Sequence, residues 1–349
     1  MSSSFIATPE NRQYVYIWTD AVGKFRSKVR NLLIHNPSEP RTPPRWNYDG
    51  SSTGQASTEE SEVELVPIAV YSSQTSKYTY VLCSTFKQNG APTFENTHHM
   101  LSPAIQAWLI DNAVRLAFEQ EFFIYDVRTG KPLRHEEWKD KKQGEYYCSV
   151  GAFGNGFIEP YVAEVFERGL ELGLRLTGYN LEVAPAQGEI QVDGPAVRAA
   201  HDLMMLRYLL WDVLGKHGLY PVFDPKPLGP EWNGSGLHTN VSTLQTIAPG
   251  TGLPKIIRIL KQLENKHRVW IPALGPGNDL RLTGHHETSS LERFTWGVGS
   301  CAASVRIPYS TNTTGAGYFE DRRPAANADP YTIVWLYAQA LLEVENSLI

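Results

Sequence analysis

Cysteine is scarce and unpatterned in this chain: Cys83, Cys148 and Cys301 are an odd set without metal-ligand spacing. That excludes a disulfide framework and a thiolate zinc site and fits a reducing compartment, so a cytoplasmic location is expected. Basic blocks are missing too. With a formal net charge of -5 over 349 residues, neither nucleic acid nor an anionic membrane is an expected partner. Long hydrophobic runs are also absent. The most apolar helix candidate, around Leu203 to Leu214, is interrupted by Arg207 and Asp212, and Met1 to Ala7 shows no basic region followed by an apolar run. No membrane span and no export signal are expected. There is neither a P-loop nor a dinucleotide fingerprint, so any nucleotide is bound in another way. No internal repeat or low-complexity tract occurs.

What is present is an unusual supply of carboxylates in apolar settings. The stretch Phe118-Glu119-Gln120-Glu121-Phe122-Phe123-Ile124 reads as a strand, and a period of two puts Glu119 and Glu121 on one face. Two like charges on one face of an otherwise apolar strand are costly unless something positive sits between them, and a divalent cation answers that best. E-x-E alone also fits a half-solvated edge strand. Further carboxylates weigh against that reading. Glu182 and Glu189 lie seven apart across a Pro-Gly interruption that turns one strand into an antiparallel hairpin, which can bring both to one point. His238 follows the glycine-rich run Asn233-Gly-Ser-Gly-Leu, and Glu320 sits in Tyr318-Phe-Glu-Asp-Arg-Arg-Pro.

The length allows two domains, and the character of the chain changes once. Tyr14 to Phe86 is strand-like, with Tyr14-Val-Tyr-Ile-Trp, Val63 to Tyr71 and Tyr78 to Cys83, and Arg45 to Gln55 reads as a loop presenting Asp49 and Ser52. The boundary falls between about 88 and 100, where Ser102 as N-cap and Pro103 open a helix. Lys131 to Glu145 reads as an exposed charged loop and Tyr146 to Val150 as strand. Helices are expected over Ile158 to Leu172, Pro195 to His217, Leu253 to His267 and Tyr331 to Val344. His201 and His217 read as core-edge or capping residues. Arg281, Arg306, Arg322 and Arg323 recur beside turn residues where lysine is rare, a pattern suited to bidentate recognition of carboxylate and phosphate.

Eight blocks in order carry a resemblance: Trp46-Asn-Tyr-Asp-Gly-Ser-Ser-Thr, Glu119-Gln-Glu, Tyr146-Tyr-Cys-Ser-Val-Gly, Asn180 to Gln191, Asn233-Gly-Ser-Gly-Leu-His-Thr-Asn, Arg281-Leu-Thr-Gly-His-His-Glu-Thr, Arg306-Ile-Pro and Tyr318 to Pro324. Together they resemble glutamine synthetase of the type II, eukaryotic-like kind, over nearly the whole chain. The resemblance implies an α/β (α+β) chain, with a small β-grasp-like N-terminal domain over 1–95 and a larger α/β catalytic domain over 96–349. It also implies a homo-oligomer of stacked pentameric rings with active sites shared between neighbours. Its activity would be ATP-dependent ligation of glutamate and ammonia through a γ-glutamyl phosphate. Glu119, His238 and Glu320 match the ligands of one Mg²⁺ or Mn²⁺, and Glu121, Glu182 and Glu189 those of a second. Asn240, Ser242, Arg306 and Tyr318 match ATP contacts; Asn233, Gly234, Arg281 and Arg322 match the glutamate site; Asp49, Ser52, Tyr147 and Glu287 match the ammonium pocket. Asp49 and Glu287, with Arg306 and Arg322, would be the catalytic set.

Departures from the pattern matter as much. Cys301 stands where the family has an arginine touching the transferred phosphate, Arg115 where an aromatic lies near the nucleotide, and Gly188 where an aromatic separates the last two metal glutamates. The 131–145 loop lacks the family's Gly-Pro pattern. A slower synthetase is therefore expected. The alternatives are a γ-glutamyl ligase taking another amine and a weakened, synthetase-like scaffold or regulator.

Overall fold

The computed structural model describes residues 10–34, 42–73, 76–144, 146–151 and 153–346. The opening residues read above for an export signal, and Glu145, lie outside them. The chain divides into two compact units, one of residues 1–99 with 171–173, the other of residues 100–170 with 174–349.

In the first unit, apolar residues at every second position drive strand formation: Tyr14, Tyr16 and Trp18 all turn to one buried face. Five strands result, β1 (Glu10–Thr19), β2 (Phe25–Ile34), β3 (Trp46–Asp49), β4 (Glu62–Ser72) and β5 (Tyr78–Lys87). Their order is β2-β1-β5-β4-β3, with β1 parallel to β5 and the other pairs antiparallel. The core joins Tyr14, Tyr16, Trp18, Tyr48, Val63, Leu65 and Val81. The expected loop from Arg45 is partly strand. Tyr48 tilts onto Trp18 with ring centroids 4.5 Å apart, and that burial holds Trp46–Asp49 on the edge of β4 despite the turn-forming residues after it.

The second unit contains α1 (Pro103–Asp111), β6 (Arg115–Asp126), β7 (Lys131–Pro132), α2 (Glu159–Glu171), β8 (Leu176–Leu181), β9 (Gln187–Pro195), α3 (Ala196–Lys216), β10 (Leu219–Val222), β11 (Leu237–Ser242), α4 (Gly252–Trp270), β12 (Trp296–Val298), β13 (Val305–Ile307), α5 (Tyr309–Thr314), β14 (Phe319–Asp321) and α6 (Pro330–Asn346). Ser102 caps α1 by accepting the Ile105 amide at 3.3 Å, with Pro103 in the first turn. The sheet runs β12-β13-β14-β11-β6-β9-β8, and β7 and β10 pair with the far end of β6. On one face of β6, Leu116, Phe118 and Phe122 are fully buried, and α3 packs against β6, β9 and α6. The opposite face carries Arg115, Ala117, Glu119 and Glu121.

Two sequence expectations are corrected here. The 131–145 segment is not wholly exposed: Lys131–Pro132 pairs with β6 and Trp138 is buried against Trp232, centroids 5.3 Å apart. Tyr146 to Val150 forms bends, not a strand; Tyr146, Tyr147 and Val150 are exposed, so their β propensity has no partner to express it. Among the described residues no helix is long and apolar enough to cross a membrane.

Candidate active site

Antiparallel register assembles the site. Glu119 lies opposite His238 of β11 and Gln191 of β9, Glu121 lies opposite Glu189, and Glu320 of β14 lies between Asn240 of β11 and Arg306 of β13. Glu182 follows β8 at the hairpin turn, where its amide donates to the Gln187 carbonyl at 2.9 Å. Residues from 119 to 320 thus meet on one sheet face.

Ligand atoms of Glu121, Glu182 and Glu189 lie within 4.8 Å of one another, and so do those of Glu119, Glu189 and His238. Glu189 belongs to both groups. The His238 Nδ1 faces Glu119 at 3.4 Å, Glu320 at 3.6 Å and Glu121 at 3.8 Å. Glu320 is instead engaged by arginines, with Arg322 Nη1 donating to Oε1 at 2.7 Å and Arg306 Nε on Oε2. Burial and mutual repulsion push the Glu121 carboxyl up to about 8, burial and Glu119 push Glu189 well up, and burial raises Glu182. Burial, with Arg322, drives His238 well below its usual value and leaves a neutral imidazole. Hard carboxylate oxygens with one neutral imidazole fit Mg²⁺ or Mn²⁺, and carboxyls that resist ionising alone are what a divalent cation would compensate. The donor set therefore fits the expected cations.

Neutral amides orient these carboxylates. Asn240 Nδ2 donates to Glu119 at 2.8 Å, Asn180 Nδ2 to Glu182 at 2.9 Å, and Gln191 Nε2 to Glu189 at 2.8 Å. The Gly236 amide donates to Glu121 at 2.7 Å, with Gln187 Nε2 at 3.3 Å on the same oxygen. Glycine at position 236 leaves room for the site, since a Cβ would stand 2.5 Å from Arg281 and 2.8 Å from the His238 ring and would push them out of place. Sequence reading passed over Asn180, Gln187 and Gln191. For Asn180 and Gln191 the signal was placement two residues from the carboxylate each holds; Gln187, which reaches Glu121 on another strand, carried none.

Two cavities flank the cluster. One of about 370 Å³ runs along the β6 face from Glu119 past Ala117 to Arg115, bounded by Asn240, Ser242 and Tyr318. The other, about 30 Å³, is walled by Glu121, Glu182, Asn233, Arg281, Glu287 and Arg322. Arg281 and Arg322 are buried, and Arg281 donates to His238 Nε2 at 3.1 Å and to the Arg322 carbonyl at 3.2 Å. His286 and Glu287 both hold left-handed backbone (φ 52° and 62°), an uncommon pair for non-glycine residues that shapes the loop over this pocket.

Not every candidate joins the cluster. Arg323 is a core residue: fully buried, it forks onto Asp321 at 2.8 and 2.9 Å. Asp49 accepts Ser51 Oγ at 2.6 Å and Ser52 Oγ at 2.7 Å on the exposed surface of the first unit, and these bonds lower its carboxyl. Tyr147 is exposed on the second. Cys301 is exposed with its Sγ 3.3 Å from Arg306 Nη1. Arg115 pairs with Asp193 at 2.9 Å, four residues and roughly 13 Å of strand from Glu119, at the cavity end away from the carboxylates. Lys142 points to solvent, 3.8 Å from Glu231. Gly188 faces α2, where Val162 and Ile158 leave a Cβ only 3.2 and 3.5 Å; it serves packing behind the site.

The chain is also similar to known proteins. Residues 108–249 match the family model described as glutamine synthetase, catalytic domain. The glutamine synthetase of Neurospora crassa is 40% identical over 336 residues, covering 94% of this chain and 92% of the relative. Glutamine synthetase 1, mitochondrial, of Drosophila melanogaster is 37% identical over 340 residues, covering 94% and 84%. The solved structure described as GmaS/ADP complex-Conformation 1 superposes with a TM-score of 0.73 at 16% identity, covering 96% of this chain and 79% of that one, a likeness of fold.

Proposed function

We propose, for a chain that belongs to the glutamine synthetase family, the ATP-dependent ligation of glutamate and ammonia to glutamine. The observation that carries this reading is the carboxylate and imidazole cluster standing between a long cleft and an arginine-walled pocket on one sheet face. The cleft takes ATP along Asn240, Ser242 and Tyr318, with its phosphates toward the cluster. Glutamate binds over the pocket and reaches into it, its carboxylates answering Arg281 and Arg322 and its remaining polar groups Asn233 and the Gly234 backbone.

Glu121, Glu182 and Glu189 would hold one Mg²⁺ or Mn²⁺, and Glu119 and His238 with Glu189 or Glu320 another; these ions supply charge neutralisation for the ATP phosphates. Arg306 and Arg322, both anchored on Glu320, aim guanidinium donors where negative charge develops as the γ-phosphoryl group passes to the glutamate side-chain carboxylate. The product of that step is γ-glutamyl phosphate and ADP. Asp49, whose carboxyl is held ionised by Ser51 and Ser52, takes a proton from ammonium gathered by Ser52, Tyr147 and Glu287. The freed ammonia attacks the acyl carbon and phosphate leaves. Exposure of Asp49 and of Tyr147 in the single chain supports an assembly in which a neighbouring subunit brings them together, a homo-oligomer of stacked pentameric rings. The scarcity of cysteine supports a cytoplasmic location.

The test is phosphate release and glutamine formation with glutamate, ATP, ammonium and Mg²⁺ or Mn²⁺, omitting each in turn. Turnover that requires all of them is expected. ATP hydrolysis indifferent to glutamate, or no turnover in the assembled protein, would overturn the reading.

A further inference from the structure

Lys131 to Glu145 reads in sequence as an exposed loop without chemistry, and most charges of its described residues are indeed spent on each other. Lys131 and Lys139 both bind Glu136, and Arg134 binds Glu137. Three contacts nonetheless tie it to the arginine-walled pocket. Trp138 is buried, donates its Nε1 to the Leu133 carbonyl at 3.2 Å, and meets Trp232 edge-to-face; Trp232 directly precedes Asn233. Gln143 Nε2 donates to Asn233 Oδ1. Gly144 lies so close to Val183, the residue after Glu182, that a Cβ would stand 1.7 Å from the Val183 carbonyl oxygen.

We infer that this segment is a positioning element for the glutamate pocket, with Gln143 fixing the orientation of the Asn233 amide and Trp138 holding the segment in place. The orientation follows from donor and acceptor counting. The Gly144 amide donates to Gln143 Oε1 at 3.2 Å, which leaves Gln143 to offer its Nε2. That donor commits Asn233 Oδ1, so the Asn233 Nδ2 is the group left for the pocket. Among Glu121, Glu182 and Glu287, which also line the pocket, Asn233 then adds a donor to those of Arg281 and Arg322, the complement of a carboxylate. Were the amide reversed, an oxygen would face the same anion. This inference rests on the glutamate reading of the pocket, and Gln143 acts through Asn233 without touching substrate.

Gln143→Glu keeps the size of the side chain and replaces the donor by acceptors, so it favours the reversed amide. In the assembled protein, KM for glutamate should rise about tenfold, the usual worth of one hydrogen bond to a charged group, with kcat and KM for ATP within about twofold. Calorimetric titration with glutamate in the presence of Mg²⁺ and a non-hydrolysable ATP analogue should show the same tenfold loss. Trp138→Ala should move glutamate affinity in the same direction and Trp138→Phe should restore it; melting curves check that each variant folds. If Gln143→Glu leaves both glutamate KM and Kd unmoved, or weakens ATP equally, the inference is wrong while the ligase reading stands. A parent protein without glutamate-dependent phosphate release would remove both.

Discussion

The two faces of the central sheet hold charge in opposite ways. On the face turned toward α4 and α6, Asp321 accepts a fork from Arg323 and the Tyr337 hydroxyl at 2.6 Å, and although burial opposes it, these partners keep its carboxyl below the usual range. On the other face, Glu121, Glu182 and Glu189 have amide partners but share too little positive charge, and their carboxyls are pushed up. Buried charge that brings its own counterion is structural; buried charge that lacks one marks where a cation binds.

The largest effects separate the faces outright. Asp321→Ala leaves Arg323 buried without its partner and should cost roughly 3–5 kcal/mol of stability, seen by denaturant unfolding. Glu121→Gln should leave metal-free stability unchanged or higher, yet lower turnover by at least about a hundredfold. Equal stability losses in the two variants would erase the distinction.

Next in size is the response to cations. Millimolar Mg²⁺ or Mn²⁺ should raise the melting temperature by several degrees and EDTA should reverse it, since ligand at about a hundred times its Kd stabilises by roughly 2.7 kcal/mol. Glu121→Gln should blunt that response and Asp321→Ala should keep it. Identical melting of the parent in EDTA and in excess cation would remove the metal reading.

The pH dependence of the metal-free protein has two limbs of opposite sign. The Glu121 carboxyl, raised to about 8 in the folded state from an ordinary 4.5, keeps its proton longer when folded, so stability present at low pH is lost as pH rises through about 8. Asp321, lowered by Arg323, contributes stability present above its ordinary value and lost as pH falls through the folded one. Cation should abolish the alkaline limb and leave the acid limb. Unfolding free energies across about pH 2 to 9, with and without Mg²⁺, check this, and an alkaline limb indifferent to cation would contradict it.

How much of this was legible in the sequence follows from how local each signal is. The strand carrying Glu119 and Glu121, the hairpin between Glu182 and Glu189, and the capped helices rest on periodicity and turn chemistry, and they stand where the residues put them. Phe25–Ile34 was missed because its apolar residues do not alternate regularly, with Arg26, Lys28 and Arg30 among them, and it is held by the ladder with β1. Trp46–Asp49 was missed because burial of Tyr48 outweighs neighbouring turn formers. The amides that aim the carboxylates, and Gln143, carry no local pattern, since a glutamine acquires meaning only from what the fold sets opposite it. The arginines looked alike in sequence, yet Arg322 turns to Glu320 and the site while Arg323 turns to Asp321 and the core, because the chain leaving β14 still sends successive side chains to opposite sides.

The smallest expected effect concerns the site face alone. The resemblance places an arginine at position 301, whereas here an exposed thiol stands 3.3 Å from Arg306 Nη1. Exposure means an arginine could be accommodated without a cavity, so packing does not explain the cysteine. Nor do Arg115 and Lys142 replace the missing charge, the first lying at the far end of the cleft beside Asp193 and the second in solvent. Removing one preorganised donor from a developing charge costs roughly 3 kcal/mol, so restoring it should recover part of that. Against the gain stands repulsion from Arg306, moderated by Glu320, which already binds Arg306 and Arg322. We expect Cys301→Arg to raise kcat by at least about tenfold with little change in KM, as suits an interaction made mainly in the transition state. A folded Cys301→Arg protein no faster than its parent would mean that Arg306 and Arg322 already supply the charge the reaction needs, and that the site face is balanced for catalysis without a third guanidinium.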